Sequence, residues 1–216
     1  MLTLYHCLSA RSFRPLWTLE EMGLDYELKM LPFPPRVLAK EYLQVNPLGT
    51  IPTLLDDGMR MTESAAICQY LTAKYGPTPL DVSVDEAGYG PYLNFLHHGE
   101  ATLTFPQTLV LRYSRLEPTE RRVPQVADDY AKWFLARLRL VDAIVQSKEF
   151  ICADRFTAAD ISVGYAFMLA ETLGLDAKFP EAVTRYWERL QARGGFKRAV
   201  ARQEAAAAEQ GVARTV

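Results

Sequence analysis

Two serines stand three residues apart in Ser9-Ala10-Arg11-Ser12, just after the apolar run Leu2-Thr3-Leu4-Tyr5. Phe13, Leu16, Trp17 and Leu19 follow at helical spacing, so the pair sits where a helix begins. Two thiols in those places could cycle through a disulfide; two hydroxyls cannot, and sulfur chemistry here needs a thiol brought from outside. A hydroxyl at a helix N-terminus can donate a hydrogen bond to a thiolate, and free N–H groups and the helix dipole add positive potential. Such surroundings move a thiol from about 8.5 down into the range ~3.5–7.5, which makes it nucleophilic near neutral pH. Arg11 or Arg14 could add charge. The same serines would serve equally as turn and cap residues. Pro15 discriminates between them. With Ser12 as the cap, Pro15 falls in the first turn where its missing N–H costs little; a helix starting at Ser9 would hold it in the interior at up to ~3 kcal/mol. Ser12 is the preferred hydroxyl, Ser9 the next.

A second feature is Asn46-Pro47-Leu48-Gly49-Thr50-Ile51-Pro52-Thr53-Leu54. A proline directly before a strand lacks an N–H for the ladder, and one resolution is a cis Ile51-Pro52 bond that turns the Ile51 backbone outward; a plain trans loop proline is the other. An outward backbone could pair with an extended peptide as an added strand would. A third feature is Thr62-Glu63-Ser64 at the next helix start, where the Ser64 hydroxyl and free amides suit a carboxylate and Glu63 suits an ammonium. An ordinary N-cap with an acidic first turn fits the same residues.

The elements that must position these groups follow from periodicity. Tyr26, Leu28 and Met30 alternate with Glu27 and Lys29 as in a half-buried strand, and Gly23 ends the preceding helix. A helix over 37–43 stops before Asn46-Pro47, strands at 53–55 and 59–61 join across Asp57-Gly58, and a helix over 64–75 ends at Gly76-Pro77. The predicted order over 1–76 is β-α-β-α-β-β-α. Residues 77–86 read as a linker, and 87–216 as an all-helical domain with stripes near 87–114, 126–145, 158–173 and 181–192. The alanine-rich tail from about Ala205 has few large apolar anchors and is expected to fray.

With 49% hydrophobic residues over 216, the chain can bury a core. A net charge of −2 without a basic run argues against nucleic acid and anionic membrane as partners. Neither a signal peptide nor a span of ~18 apolar residues is present, so a cytoplasmic chain is expected. Cys7, Cys68 and Cys152 are odd in number and far apart, which suits packing in a reducing compartment. His97-His98-x-Glu100 offers no ligand set, because adjacent helical residues point about 100° apart. No metal is expected.

Taken together, Asn46-Pro47-x-Gly49-x-Ile51-Pro52-x-Leu54, Glu63-Ser64-x-x-Ile67 and Phe156-Thr157-Ala158-Ala159-Asp160-Ile161-Ser162 resemble the cytosolic glutathione transferase family over nearly the whole chain. The last motif is a capping box by its own physics, with Thr157 as cap, Asp160 three residues on, and Phe156 and Ile161 placed for a hydrophobic staple. The resemblance implies a thioredoxin-like N-terminal domain with glutathione as co-substrate, a helical C-terminal domain, and a homodimer. It implies glutathione contacts at Arg11, Lys40, Thr50, Ile51, Pro52, Glu63 and Ser64, with a cis-proline loop at Ile51-Pro52. The catalytic serine would be Ser9 by one set of classes, and Ser12 by likeness to bacterial enzymes of the lignin β-etherase type. His98, Leu109, Arg112 and Tyr113 would line a pocket for a small apolar or aromatic electrophile. The implied activity is transfer of glutathione to that electrophile. A glutathione-dependent isomerase or ether-cleaving enzyme, and a non-catalytic binding module, are the alternatives.

Overall fold

The structure, a computed structural model, describes residues 1–213 and divides them into two compact units: Met1–Thr78 together with the segment from Ala192, and Pro79–Gln191. In the first unit the strands are β1 (Leu2–His6), β2 (Tyr26–Met30), β3 (Thr53–Asp56) and β4 (Met59–Met61), and they form one sheet in the order β2-β1-β3-β4. β2 runs parallel to β1, whereas β3 and β4 are antiparallel to their neighbours. The parallel crossover is α1 (Phe13–Met22), which stops at Gly23 in the left-handed region, its N–H closing on the Leu19 carbonyl. The β3–β4 connection has positive φ at both Asp57 and Gly58, the backbone that the Asp-Gly dipeptide favours in a tight hairpin. α3 (Ser64–Lys74) packs with α1, and Leu4, Phe13, Leu16, Trp17, Leu54 and Ile67 form a fully buried core. The helix expected over 37–43 is instead a short α2 (Pro35–Leu38) and a 3-10 turn (Lys40–Gln44), broken at Ala39, whose ψ of 69° leaves the helical region.

Asp56 fastens α3 to the sheet. Its Oδ2 accepts from the Tyr70 hydroxyl (2.6 Å), Lys74 Nζ (2.8 Å) and the Tyr75 hydroxyl (2.7 Å). Burial alone would raise this carboxyl, but the three donors outweigh it and bring it down to about 2.

In the second unit, α4 (Tyr89–His98) runs through a π turn (Gly99–Thr104) into α5 (Phe105–Leu111), and a second π turn (Arg112–Leu116) follows. Pro106 has no N–H for the ladder, and the Thr104 hydroxyl takes up the Gly99 carbonyl at 2.7 Å. Gly99 is required there: a Cβ would lie 2.4 Å from Ser162 Oγ on α7 (Ala158–Leu173). α6 (Pro124–Val145), α7 and α8 (Glu181–Gln191) complete the unit, and every residue from Ala158 to Ala170 is buried. The capping box at Thr157 and Asp160 is formed, and the Asp160 carboxylate also takes the Ile151 N–H and the Tyr186 hydroxyl. Among the described residues no helix is long and apolar enough to cross a membrane. The fold is thus a thioredoxin-like α/β unit joined to a helical one, as expected.

Two expectations change at the C-terminal end. The alanine-rich segment does not fray; it lies in α9 (Gly194–Glu209), with Ala206 and Ala207 buried. Nor does everything after residue 87 belong to the helical unit, since α9 packs on α1 and β2 of the first. Phe196 sets its ring edge-on to Phe13 (5.6 Å) and Trp17 (5.0 Å), Arg193 pairs both donors with Glu21 (2.8 and 2.9 Å), and small alanines let the backbone approach closely. The side-chain amide of Gln210 accepts from Met30 N and donates to the Leu28 carbonyl, which satisfies part of the open edge of β2. The end of the tail, 214–216, lies outside the described residues.

Candidate functional site

Strand register alone brings the three sequence features to one end of the sheet. Thr53 opposes Tyr5, so Ile51-Pro52 lies beside the exit of β1 that leads into the Cys7–Ser12 loop. Met61 opposes Leu54, so Thr62-Glu63-Ser64 leaves β4 at that same end. Arg14, fully buried in the first turn of α1, closes the group by donating from Nη1 to Ser64 Oγ at 3.2 Å.

The loop treats its serines differently. Ser12 occupies the N-cap position of α1, as the Pro15 argument required, yet it makes no side-chain cap bond and is 0% exposed, its Oγ accepting from Cys7 N at 3.3 Å. Ser9 is half-buried and holds φ at +55°, an uncommon conformation for a residue with a Cβ. Its N–H donates at 3.0 Å to Gln203 Oε1 on α9, and that oxygen also lies 3.0 Å from His6 Nε2. The free amides expected at this helix start are largely spent: Phe13 N closes on Ala10 O and Arg14 N on Arg11 O, and Pro15 has none. Of the two serines, Ser9 is the less buried. Burial pushes the Cys7 thiol up to about 12, which makes it a packing group and not a nucleophile.

The Ile51-Pro52 bond is cis. Asn46 and Tyr42 fix the chain just before it: Asn46 Nδ2 and the Tyr42 hydroxyl both donate to the Thr50 carbonyl, at 2.8 and 2.7 Å, and Asn46 Oδ1 accepts from Leu48 N. Gly49 is indispensable to this loop, having φ +59° and only 2.6 Å between its would-be Cβ and Arg36 Cβ. Beyond Thr50, neither the N–H nor the C=O of half-buried Ile51 has a hydrogen-bond partner among the described residues. Glu63 is exposed at the N-cap position of α3 without a side-chain cap bond, and Ser64 is buried as the first helical residue. Arg11 is half-buried, whereas Lys40 and Thr50 are exposed.

Of the predicted pocket residues in the helical unit, Arg112 holds its guanidinium carbon 5.5 Å from the centre of the Tyr113 ring. His98 lines an open recess of about 380 Å³ with Leu93, Asn94, His97, Ala101 and Thr102. Its ring is edge-on to Phe95, and burial holds its pKa below the usual imidazole value. Leu109 and Tyr113 are half-buried and do not line that recess, and exposed Arg112 donates to Glu117 at 2.7 Å. Among the described residues no group of three His, Cys, Asp or Glu side chains is placed to hold a metal ion.

Sequence reasoning missed His6 and Gln203. The signal available was one polar residue in the stripe Phe196, Ala199, Gln203, Ala206, Ala207, all on one buried helical face.

Residues 8–74 match the family model described as glutathione S-transferase, N-terminal domain. Over 200 residues the chain is 30% identical to glutathione S-transferase 3 of Schizosaccharomyces pombe, covering 88% of this chain and 82% of that one. It is 32% identical to glutathione S-transferase hmp2 of Hypomyces subiculosus, covering 87% and 92%. Among solved structures, the glutathione transferase URE2P6 of Phanerochaete chrysosporium, in complex with oxidised glutathione, superposes with a TM-score of 0.82 at 26% identity over 95% and 97% of the two chains.

Proposed function

As the chain belongs to the glutathione S-transferase family and is an enzyme of that family, we propose that its first unit binds glutathione through main-chain pairing and holds it as a thiolate for attack on a small apolar or aromatic electrophile. The observation that carries this reading is the unpaired backbone of Ile51, placed by register beside both the Ser9 loop and the start of α3. A donor and an acceptor on one half-buried residue match the cysteinyl main chain of the tripeptide as a neighbouring strand would. The γ-glutamyl carboxylate then meets the N-terminus of α3, where the amides and dipole favour an anion. Ser64 Oγ, already accepting from Arg14, keeps its own O–H to donate there. Exposed Glu63 takes the ammonium. Lys40, Thr50 and Arg11 are secondary contacts in this assignment.

Ser9, more accessible than Ser12, is the hydroxyl assigned to the thiolate. Its O–H and the Arg11 charge favour the ionised sulfur, and the thiol proton leaves to solvent. The thiolate then forms a sulfur–carbon bond with the electrophile, whose leaving group departs with the electron pair. His98, with Leu109, Arg112 and Tyr113, is the candidate lining for the electrophile, and a homodimer is the working assembly. Calorimetric titration with glutathione together with turnover of a chromogenic aryl halide tests this. Saturable binding with conjugate formation supports the enzyme; absence of binding at millimolar glutathione removes it.

A further inference from the structure

The structure assigns a positioning role to Gln203 on α9: its side-chain carbonyl holds the Ser9 loop in the conformation that presents the hydroxyl to bound sulfur. This rests on the reading of Ser9 as the thiolate's partner.

Ser9 stands at φ +55°. A residue with a Cβ stays in that region only where its surroundings over-determine it. One determinant lies 194 residues away in the chain, where Gln203 Oε1 accepts the Ser9 N–H at 3.0 Å. A backbone N–H can only donate, so the amide end facing it is the carbonyl. Since that oxygen also lies 3.0 Å from His6 Nε2, the imidazole must carry its proton on Nε2 and donate as well. Burial, against the smaller contributions of Gln203 and the Ser12 backbone, lowers His6 to about 4, so the ring is neutral near neutral pH. One carbonyl therefore ties the last residue of β1 to Ser9, fixing the loop against the sheet.

Gln203 is 2% exposed on a face otherwise made of Phe196 and alanines. A glutamine buried there is costly unless its hydrogen bonds are made, and these bonds end at the loop that carries the chemistry. The helix that brings it is anchored at both ends, by Arg193 on Glu21 and by Gln210 on β2. The C-terminal helix thus adds, within the same unit, a support to the hydrogen bonds that the Cys7–Ser12 loop makes within itself. Ile51, Glu63 and Ser64 have no part in it, so glutathione affinity and thiolate formation should separate.

The test compares Ser9→Ala, Gln203→Leu, Gln203→Glu and the Ser9→Ala/Gln203→Leu double variant. The readouts are ultraviolet titration of the bound glutathione thiolate and turnover of an aryl halide across pH. Gln203→Leu should raise the bound thiol's pKa by about one unit, a roughly tenfold loss of kcat at about pH 6.5 that recovers on the alkaline side. KM for glutathione should stay within about twofold. Gln203→Glu, which keeps an accepting oxygen, should restore most of the activity. In the Ser9→Ala background Gln203→Leu should produce no further shift, because both act on one hydroxyl. If Gln203→Leu does not fold, Gln203→Asn withdraws the oxygen by one methylene and keeps the site polar. In either folded variant exchange of the Ser9 amide should speed up by about tenfold or more. A shift in Ser9→Ala with none in Gln203→Leu or Gln203→Asn overturns the positioning role, as does a Gln203 shift that adds fully to that of Ser9→Ala. No shift in Ser9→Ala overturns the Ser9 reading and the proposal with it.

Discussion

Ser64 and Glu63 are adjacent in sequence, and the structure predicts different consequences for stability on losing them. Ser64 Oγ is the acceptor 3.2 Å from Nη1 of Arg14, a guanidinium with no exposed surface. Ser64→Ala removes an acceptor from a buried charge. A hydrogen bond to a charged group is worth about 1.5–3 kcal/mol, and that is the expected loss of stability. For a chain of this size each kcal/mol moves Tm by about 2–4 °C, so the melt should fall by roughly 3–12 °C. Glu63 is exposed and makes no cap bond, so Glu63→Ala should leave the melt within about 1 °C of the parent. Its cost appears with ligand: losing a charge-assisted bond to the glutathione ammonium, about 1.5–3 kcal/mol, weakens Kd by roughly 10- to 150-fold. Calorimetric melts with and without glutathione, and titration calorimetry on both variants, measure each term. An unchanged Ser64→Ala melt would refute the Arg14 argument. Parent-like affinity in Glu63→Ala would falsify the γ-glutamyl assignment.

Asp56 should give the fold an acid-labile step. Its folded pKa lies near 2 against an unperturbed 3.8, so its contribution of about 2 kcal/mol is complete above about pH 4 and is lost as pH falls through about 2. Asp56→Asn should flatten that part of the stability-versus-pH curve from chemical denaturation, and an unaltered curve would contradict it. Phe196→Ala should destabilise by about 3–5 kcal/mol through loss of the ring between Phe13 and Trp17, followed by tryptophan fluorescence in denaturant; a loss below about 1 kcal/mol would mean α9 contributes little. Burial pushes Cys7 up to about 12 and Cys68 and Cys152 up to about 11, so none should be alkylated by iodoacetamide at about pH 8 until the chain unfolds. Rapid labelling of the native protein, read by mass, would count against that packing.

What the sequence disclosed was whatever local chemistry determines. Asp57-Gly58 marked its hairpin because both positions need positive φ, and Thr157 with Asp160 marked a helix start because the cap bonds span three residues. Pro15 placed the start of α1 correctly, but not the direction of the Ser12 hydroxyl, which depends on the Cys7 amide across the loop. The break at Ala39 escaped notice, as no proline or glycine marks it. α9 was missed because its anchoring comes from one phenylalanine and a stripe of alanines, whose value lies in close approach to α1 and not in hydrophobic bulk. Gln203 and His6 could not be paired from spacing at all. The contact between them crosses 197 residues and exists only once α9 has docked.

On the proposed function, the chain holds glutathione as a thiolate near neutral pH. Ultraviolet difference titration of the glutathione-saturated protein measures this directly. A saturable thiolate absorbance is expected, with a pKa at least about one unit below the ~8.5 of a free thiol, rising in Ser9→Ala. Bound glutathione that titrates like the free thiol, in the parent and in Ser9→Ala alike, would contradict it.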